Sequence, residues 1–188
     1  MISSQPIPSF RPRLTKAECE FWFESGPDWQ DQTERLVEDS LAQAFPDIIG
    51  VTEPFLWFEP NYLAVLSGPT GGASAHADVE AHAGCITRAL AAYQGAAQPR
   101  RVQTLFLNYQ FEFAANVLPD GPQKTVWRTP REILTLERET PNGAQTRLAI
   151  RSLITHPPAL SLSHPSRWLE SIHRRMEGAF HKIQTAPC

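Results

Sequence analysis

The chain is poor in the features that announce a chemistry. Its three cysteines, Cys19, Cys85 and Cys188, are odd in number, far apart and form no C-x-x-C pair. That excludes a zinc ribbon and a disulfide scaffold, and it fits a reducing compartment. No run of about 18 apolar residues occurs that could span a bilayer as a helix. Residues 1–13, MISSQPIPSFRPR, hold prolines where a signal peptide would have its apolar stretch. The expectation is a cytoplasmic protein. There is no G-x-S-x-G elbow, no G-x-G-x-x-G turn and no Gly-Lys-Ser/Thr ending, so neither a hydrolase nucleophile nor a phosphate loop is encoded. Charge of one sign is lacking too: 17 basic residues stand against 20 acidic ones, a net charge of -3. With both signs interspersed, no nucleic-acid or membrane partner is expected.

What is present is alternation. Residues 101–114, RVQTLFLNYQFEFA, place Leu105, Leu107, Tyr109, Phe111 and Phe113 on one parity and Phe106, Asn108, Gln110 and Glu112 on the other. This pattern predicts a long central strand with one packed and one wet face. The same split recurs at residues 14–24, where Cys19, Phe21 and Phe23 oppose Glu18, Glu20, Trp22 and Glu24. The 17 prolines fall mainly between periodic segments and help to place boundaries.

Asp28 is the expected N-cap of a helix carrying Trp29, Leu36, Val37, Leu41 and Ala44 at helical spacing, stopped by Pro46. Short strands are predicted at 55–58 and 62–66 around a Pro60-Asn61 turn. A second helix runs from about Ala75 to Gln94, with Val79, Ala83, Ile86, Leu90 and Tyr93 on its stripe and Gly95 ending it. After the central strand, 133–139 and 146–155 read as a hairpin through Asn142-Gly143. Trp168, Leu169, Ile172, Met176, Phe180 and Ile183 mark a closing amphipathic helix opened by Pro165. The expectation is an extended arm over residues 1–13 and one α+β domain over 14–188. Its strand-helix-strand-strand-helix-strand order is ferredoxin-like, extended by a β-hairpin and a C-terminal helix, with an antiparallel or mixed sheet and helices mainly on one face.

The last helix contains Leu169-x-x-x-His173-x-x-Met176-x-x-x-Phe180, with Thr185 beyond it. This resembles a large bacterial family of uncharacterised proteins that ends in a Leu-x-x-x-His, Phe, Thr helix motif. Pro12-Arg13-Leu14 through Glu20-x-x-Phe23, and Phe45-Pro46, look like that family's opening strand and helix. The resemblance implies the order of elements and no activity.

His76, Asp78, Glu80, His82 and Cys85 are the one cluster with metal-ligand residue types. They lack the His-x-x-x-His spacing that lets two imidazoles chelate one ion on a helix. A solvated helix edge is the preferred reading, and neither a metal nor a cofactor is expected. The loop 68–74 is glycine-rich without a phosphate-binding signature, and it reads as a connector. The wet sheet face carries more weight: Trp22, Phe106, Glu18, Glu20, Glu112, Arg147 and Arg151, with Arg138 beside them, mix aromatics with charges of both signs. Such a mixture suits a protein partner, whereas the carboxylates and the missing RNP motif oppose RNA. The expectation is a non-enzymatic binding or assembly module, acting as a homodimer or as a subunit of a larger bacterial complex, with no catalytic residue. The alternative is a small-molecule or enzymatic pocket between sheet and helices that uses Tyr109 and His173 as acid or base.

Overall fold

The computed structural model describes residues 13–45, 55–67, 75–114, 124–139 and 145–157. The elements are β1 (Arg13–Phe23), α1 (Asp31–Ala44), β2 (Phe55–Glu59), β3 (Tyr62–Ser67), α2 (Ala75–Ala97), β4 (Val102–Ala114), β5 (Lys124–Arg128), β6 (Glu132–Glu139) and β7 (Gln145–Thr155). The predicted C-terminal helix with His173, the N-terminal arm up to residue 12 and the glycine loop lie outside the described residues.

The strands form one seven-stranded sheet in the order β2-β3-β1-β4-β7-β6-β5, and every neighbouring pair is antiparallel. This corrects the ferredoxin-like α+β expectation. The fold is mostly sheet, with only two helices among the described residues, and it is not a sheet under a two-helix layer. Six gaps of about 4.8 Å make such a sheet roughly 29 Å wide, more than two helices of about 10 Å can cover. Moreover, α1 packs chiefly on α2, whereas α2 is the helix that meets β1 and β3. The predicted hairpin is no appendage either: β7 pairs with β4 without a break from Thr104 with Thr155 to Ala114 with Gln145.

The alternation in β1 and β4 explains the core. Cys19, Phe21, Leu105, Leu107, Tyr109 and Phe111 are buried with Val37 and Leu41 of α1 and with Val79, Ile86, Leu90 and Tyr93 of α2. Leu36, expected on the α1 stripe, is half-exposed, because Val37 and Leu41 already fill the contact with α2. The α1 helix starts at Asp31 after Gln30, with no side-chain cap, so Asp28 is not its N-cap. Asp31 and Glu34 in the first turn complement the helix dipole instead. The α2 helix passes through Gly95 to Ala97 and is ended by Gln98 at φ 47°.

The β2–β3 turn is fixed from three sides. Pro60 followed by left-handed Asn61, φ 61°, is a type II arrangement. The Asn61 carbonyl accepts from the Phe23 N–H at 2.9 Å, and its side-chain Oδ1 accepts from the Gly26 N–H at 3.2 Å. On the helix side, the Tyr93 hydroxyl donates to the Glu59 carbonyl at 2.8 Å and accepts from the Tyr62 N–H at 3.2 Å. The mouth of the hairpin is thereby tied to α2.

Candidate functional site

Two places hold the chemistry-bearing side chains. The first is sealed under α2. His82 falls three residues after Val79 and four before Ile86, in the middle of the buried stripe, and is 1% exposed. Its Nε2 lies 3.0 Å from the Val65 carbonyl. A carbonyl only accepts, so Nε2 carries the proton; Nδ1 then accepts from the Tyr109 hydroxyl at 3.0 Å. Burial lowers the His82 pKa from 6.5 to about 4, against a smaller upward effect of the bond to Val65. Burial also holds the Tyr109 phenol well above its usual value, with a further contribution from Cys19. The Cys19 thiol is raised by burial first, then by Glu20 and Glu18.

This corrects the reading of His82 as part of a solvated helix edge. It also changes the Tyr109 pairing: the imidazole beside Tyr109 is His82, while His173 lies outside the described residues. The pair is neutral, mutually satisfied and closed to solvent, which is the behaviour of a packed polar contact. Among the described residues no group of three or more His, Cys, Asp or Glu side chains is placed to hold a metal ion.

The second place is the sheet face opposite Tyr109. Cross-strand register puts Phe55, Leu66, Glu18, Asn108, Arg151 and Thr135 in one row, and Trp57, Ala64, Glu20, Phe106, Leu153 and Ile133 in the next. Glu59, Tyr62, Trp22 and Thr104 follow in a third. Trp22 and Phe106 are therefore diagonal neighbours on adjacent strands. Trp22 is 37% exposed, while Phe106 is half-buried. The ring of Trp22 meets Tyr62 edge-on at 5.3 Å, and the Tyr62 hydroxyl donates to Glu20. Phe55 and Trp57 on the edge strand are 59% and 50% exposed, and the Trp57 indole donates to Glu59 at 3.2 Å.

Carboxylates dominate the field at this end. The Tyr62 phenol is held far above its usual pKa by burial, then by its bond to Glu20 and by the charges of Glu20, Glu18 and Glu59. The one cation paired with any of these three among the described residues is Lys16, 3.5 Å from Glu18 and itself exposed.

Of the remaining residues singled out in the sequence, Glu112, Arg147 and Arg151 share this face but not this patch. Glu112 and Arg147 pair with each other at 3.4 Å, six positions along β4 from Phe106, about 20 Å at strand rise. Arg151 reaches across to Glu137 on β6 at 2.7 Å. Arg138 is on the opposite face, in register with Leu148 and Phe111. Asn108, expected wet, is 4% exposed because longer side chains surround it, Glu18 and Arg151 in register across the strands and Phe106 and Gln110 two places away on β4; its amide donates to Glu18 at 3.1 Å. Alternation in the sequence does not single out Phe55, Trp57 or Tyr62 as members of this face. Four apolar residues in succession, 55–58, silence the alternation that would have assigned their faces.

No protein-family model matches the chain, and no curated protein matches its sequence.

Proposed function

We propose that this protein is a non-enzymatic binding or assembly module that works through the open sheet face at its β2-β3-β1 end. The observation that carries this reading is the clustering of Phe55, Trp57, Tyr62 and Trp22 on one face of three adjacent strands, with three of the four exposed. Exposed apolar side chains are ordinary when scattered, but a contiguous patch is characteristic of interaction surfaces. Glu18, Glu20 and Glu59 give the patch an acidic rim, so the matching partner is a protein surface or segment that brings apolar side chains together with lysine or arginine. The same carboxylates disfavour a phosphate backbone.

The pocket alternative finds less support. His82 and Tyr109 satisfy each other behind the sheet at 1% and 0% exposure, where a substrate has no access to either.

Calorimetric titration tests the reading, using synthetic peptides that alternate leucine with arginine or leucine with glutamate. The arginine peptide should bind, more weakly as salt rises and more weakly to a Glu18→Gln, Glu20→Gln variant. Equal binding of both peptides, or of neither, would remove the basis of this assignment.

A further inference from the structure

The sheet ends in two free-standing strands among the described residues, β2 and β5, and their sequences treat the exposed edge differently. On β5, Lys124 and Arg128 close both ends of the strand. An antiparallel copy of β5 in register would set Lys124 directly opposite Arg128, a like-charge pair that protects an edge from pairing. On β2, Phe55-Leu56-Trp57-Phe58 carries no charge before Glu59. That edge has no such guard.

Backbone direction identifies which groups on β2 have no partner among the described residues. The Glu59 carbonyl and the Tyr62 N–H both reach the single hydroxyl of Tyr93, so they face one another across the hairpin mouth. Antiparallel pairs alternate between bonded and non-bonded. Trp57 opposite Ala64 and Phe55 opposite Leu66 therefore turn their N–H and C=O groups toward β3, while Leu56 and Phe58 turn theirs outward.

We infer that β2 pairs with β2 of a second copy of this chain, antiparallel about a two-fold axis at Trp57. In that register Leu56 lies opposite Phe58 of the partner copy, so every outward N–H and C=O of both residues finds a partner. Phe55 faces Glu59, and no like charges are directly opposed. The neighbouring in-phase registers fail on chemistry. Centring on Leu56 carries Phe58 past the first residue of the partner's β2, and centring on Phe58 sets Leu56 against Pro60, which has no N–H to give. Joining β2 to β5 instead, with faces kept continuous, requires parallel pairing, because six antiparallel steps leave the two strands running the same way. It would also propagate without closure, whereas a two-fold contact closes. The pairing makes one continuous sheet of both copies and brings their aromatic patches side by side. This goes beyond the reading of the face as a binding surface, and the two stand or fall separately.

The test is cysteine cross-linking combined with solution mass, in the full chain carrying Cys85→Ser and Cys188→Ser. A non-bonded antiparallel pair has Cα atoms about 4.5 Å apart, within disulfide reach. Trp57→Cys should therefore give a disulfide-linked dimer on mild oxidation. Phe55→Cys should not, since its counterpart is displaced by four positions, about 13 Å. By light scattering the unmodified chain should be dimeric, and Trp57→Lys, which puts two ammonium groups on the axis at a half-exposed position, should be monomeric. A chain that stays monomeric at all concentrations, a dimer that survives Trp57→Lys, or cross-linking at position 55 as efficient as at 57 would each overturn the inference. Peptide binding is not read in this experiment, so failure of the face and failure of the edge are told apart.

Discussion

The Tyr109 hydroxyl donates to Nδ1 of His82 across 3.0 Å, between β4 and α2, in a site that excludes solvent from both. Protonating His82 would place an uncompensated charge there and turn the acceptor of that bond into a donor. With a folded pKa near 4 and an ordinary value near 6.5, the unfolded chain binds the extra proton between those limits. The contribution is complete above about pH 6.5 and is lost as pH falls toward 4, reaching about 3 kcal/mol. Urea unfolding at a series of pH values should show this slope, and His82→Phe should flatten it.

Tyr109→Phe keeps the ring and removes the donor, which leaves Nδ1 of His82 buried without a partner. The expected loss is about 1–3 kcal/mol, seen as a lower urea midpoint at unchanged slope. Combining it with His82→Phe should restore part of the loss, because removing both partners of a buried hydrogen bond costs less than orphaning one.

Phe111 is 1% exposed and is paired with Leu14 and Leu148. Phe111→Ala should cost about 3–5 kcal/mol in denaturant unfolding, the range for a truncated core aromatic. A loss below about 1 kcal/mol would mean that β4 is not central to the core.

Asn61 joins a positive φ to two acceptor contacts, one from Phe23 and one from Gly26. Asn61→Ala should cost roughly 1–3 kcal/mol, combining left-handed strain with the lost side-chain bond. Asn61→Gly relieves the strain but not the lost acceptor and should cost less, as thermal melts of the two variants would show.

Residues that alternate were legible. The faces of β4, and of β1 from Ala17 to Phe23, follow from parity alone, whereas a bulge between Leu14 and Lys16 turns Leu14 into the core against its parity; the Pro60-Asn61 turn follows from the φ each residue prefers. Other features are set by tertiary contacts that periodicity does not contain. The sheet has seven strands because β7 chooses β4 as its neighbour, a pairing that joins positions about 30 to 50 residues apart. The β5 strand, KTVWR, is too short to show alternation and was not anticipated. His82 was placed on a wet edge because polar residue types outweighed its position on the Val79, Ile86 stripe. Asn108 was expected wet because parity says which way a side chain points and nothing about the length of its neighbours.

The claim that Trp22 belongs to a binding surface rather than to the core is tested most directly by one double variant, Trp22→Ser with Phe106→Ser, which leaves β2 untouched. Affinity for the leucine-arginine peptide and the melting midpoint are measured on the same preparation. The account predicts that peptide binding is lost while the midpoint falls by no more than about 2–4 °C, the shift expected for about 1 kcal/mol in a chain of this size. A variant that unfolds, or one that stays folded and binds the peptide as well as the parent chain, would contradict it.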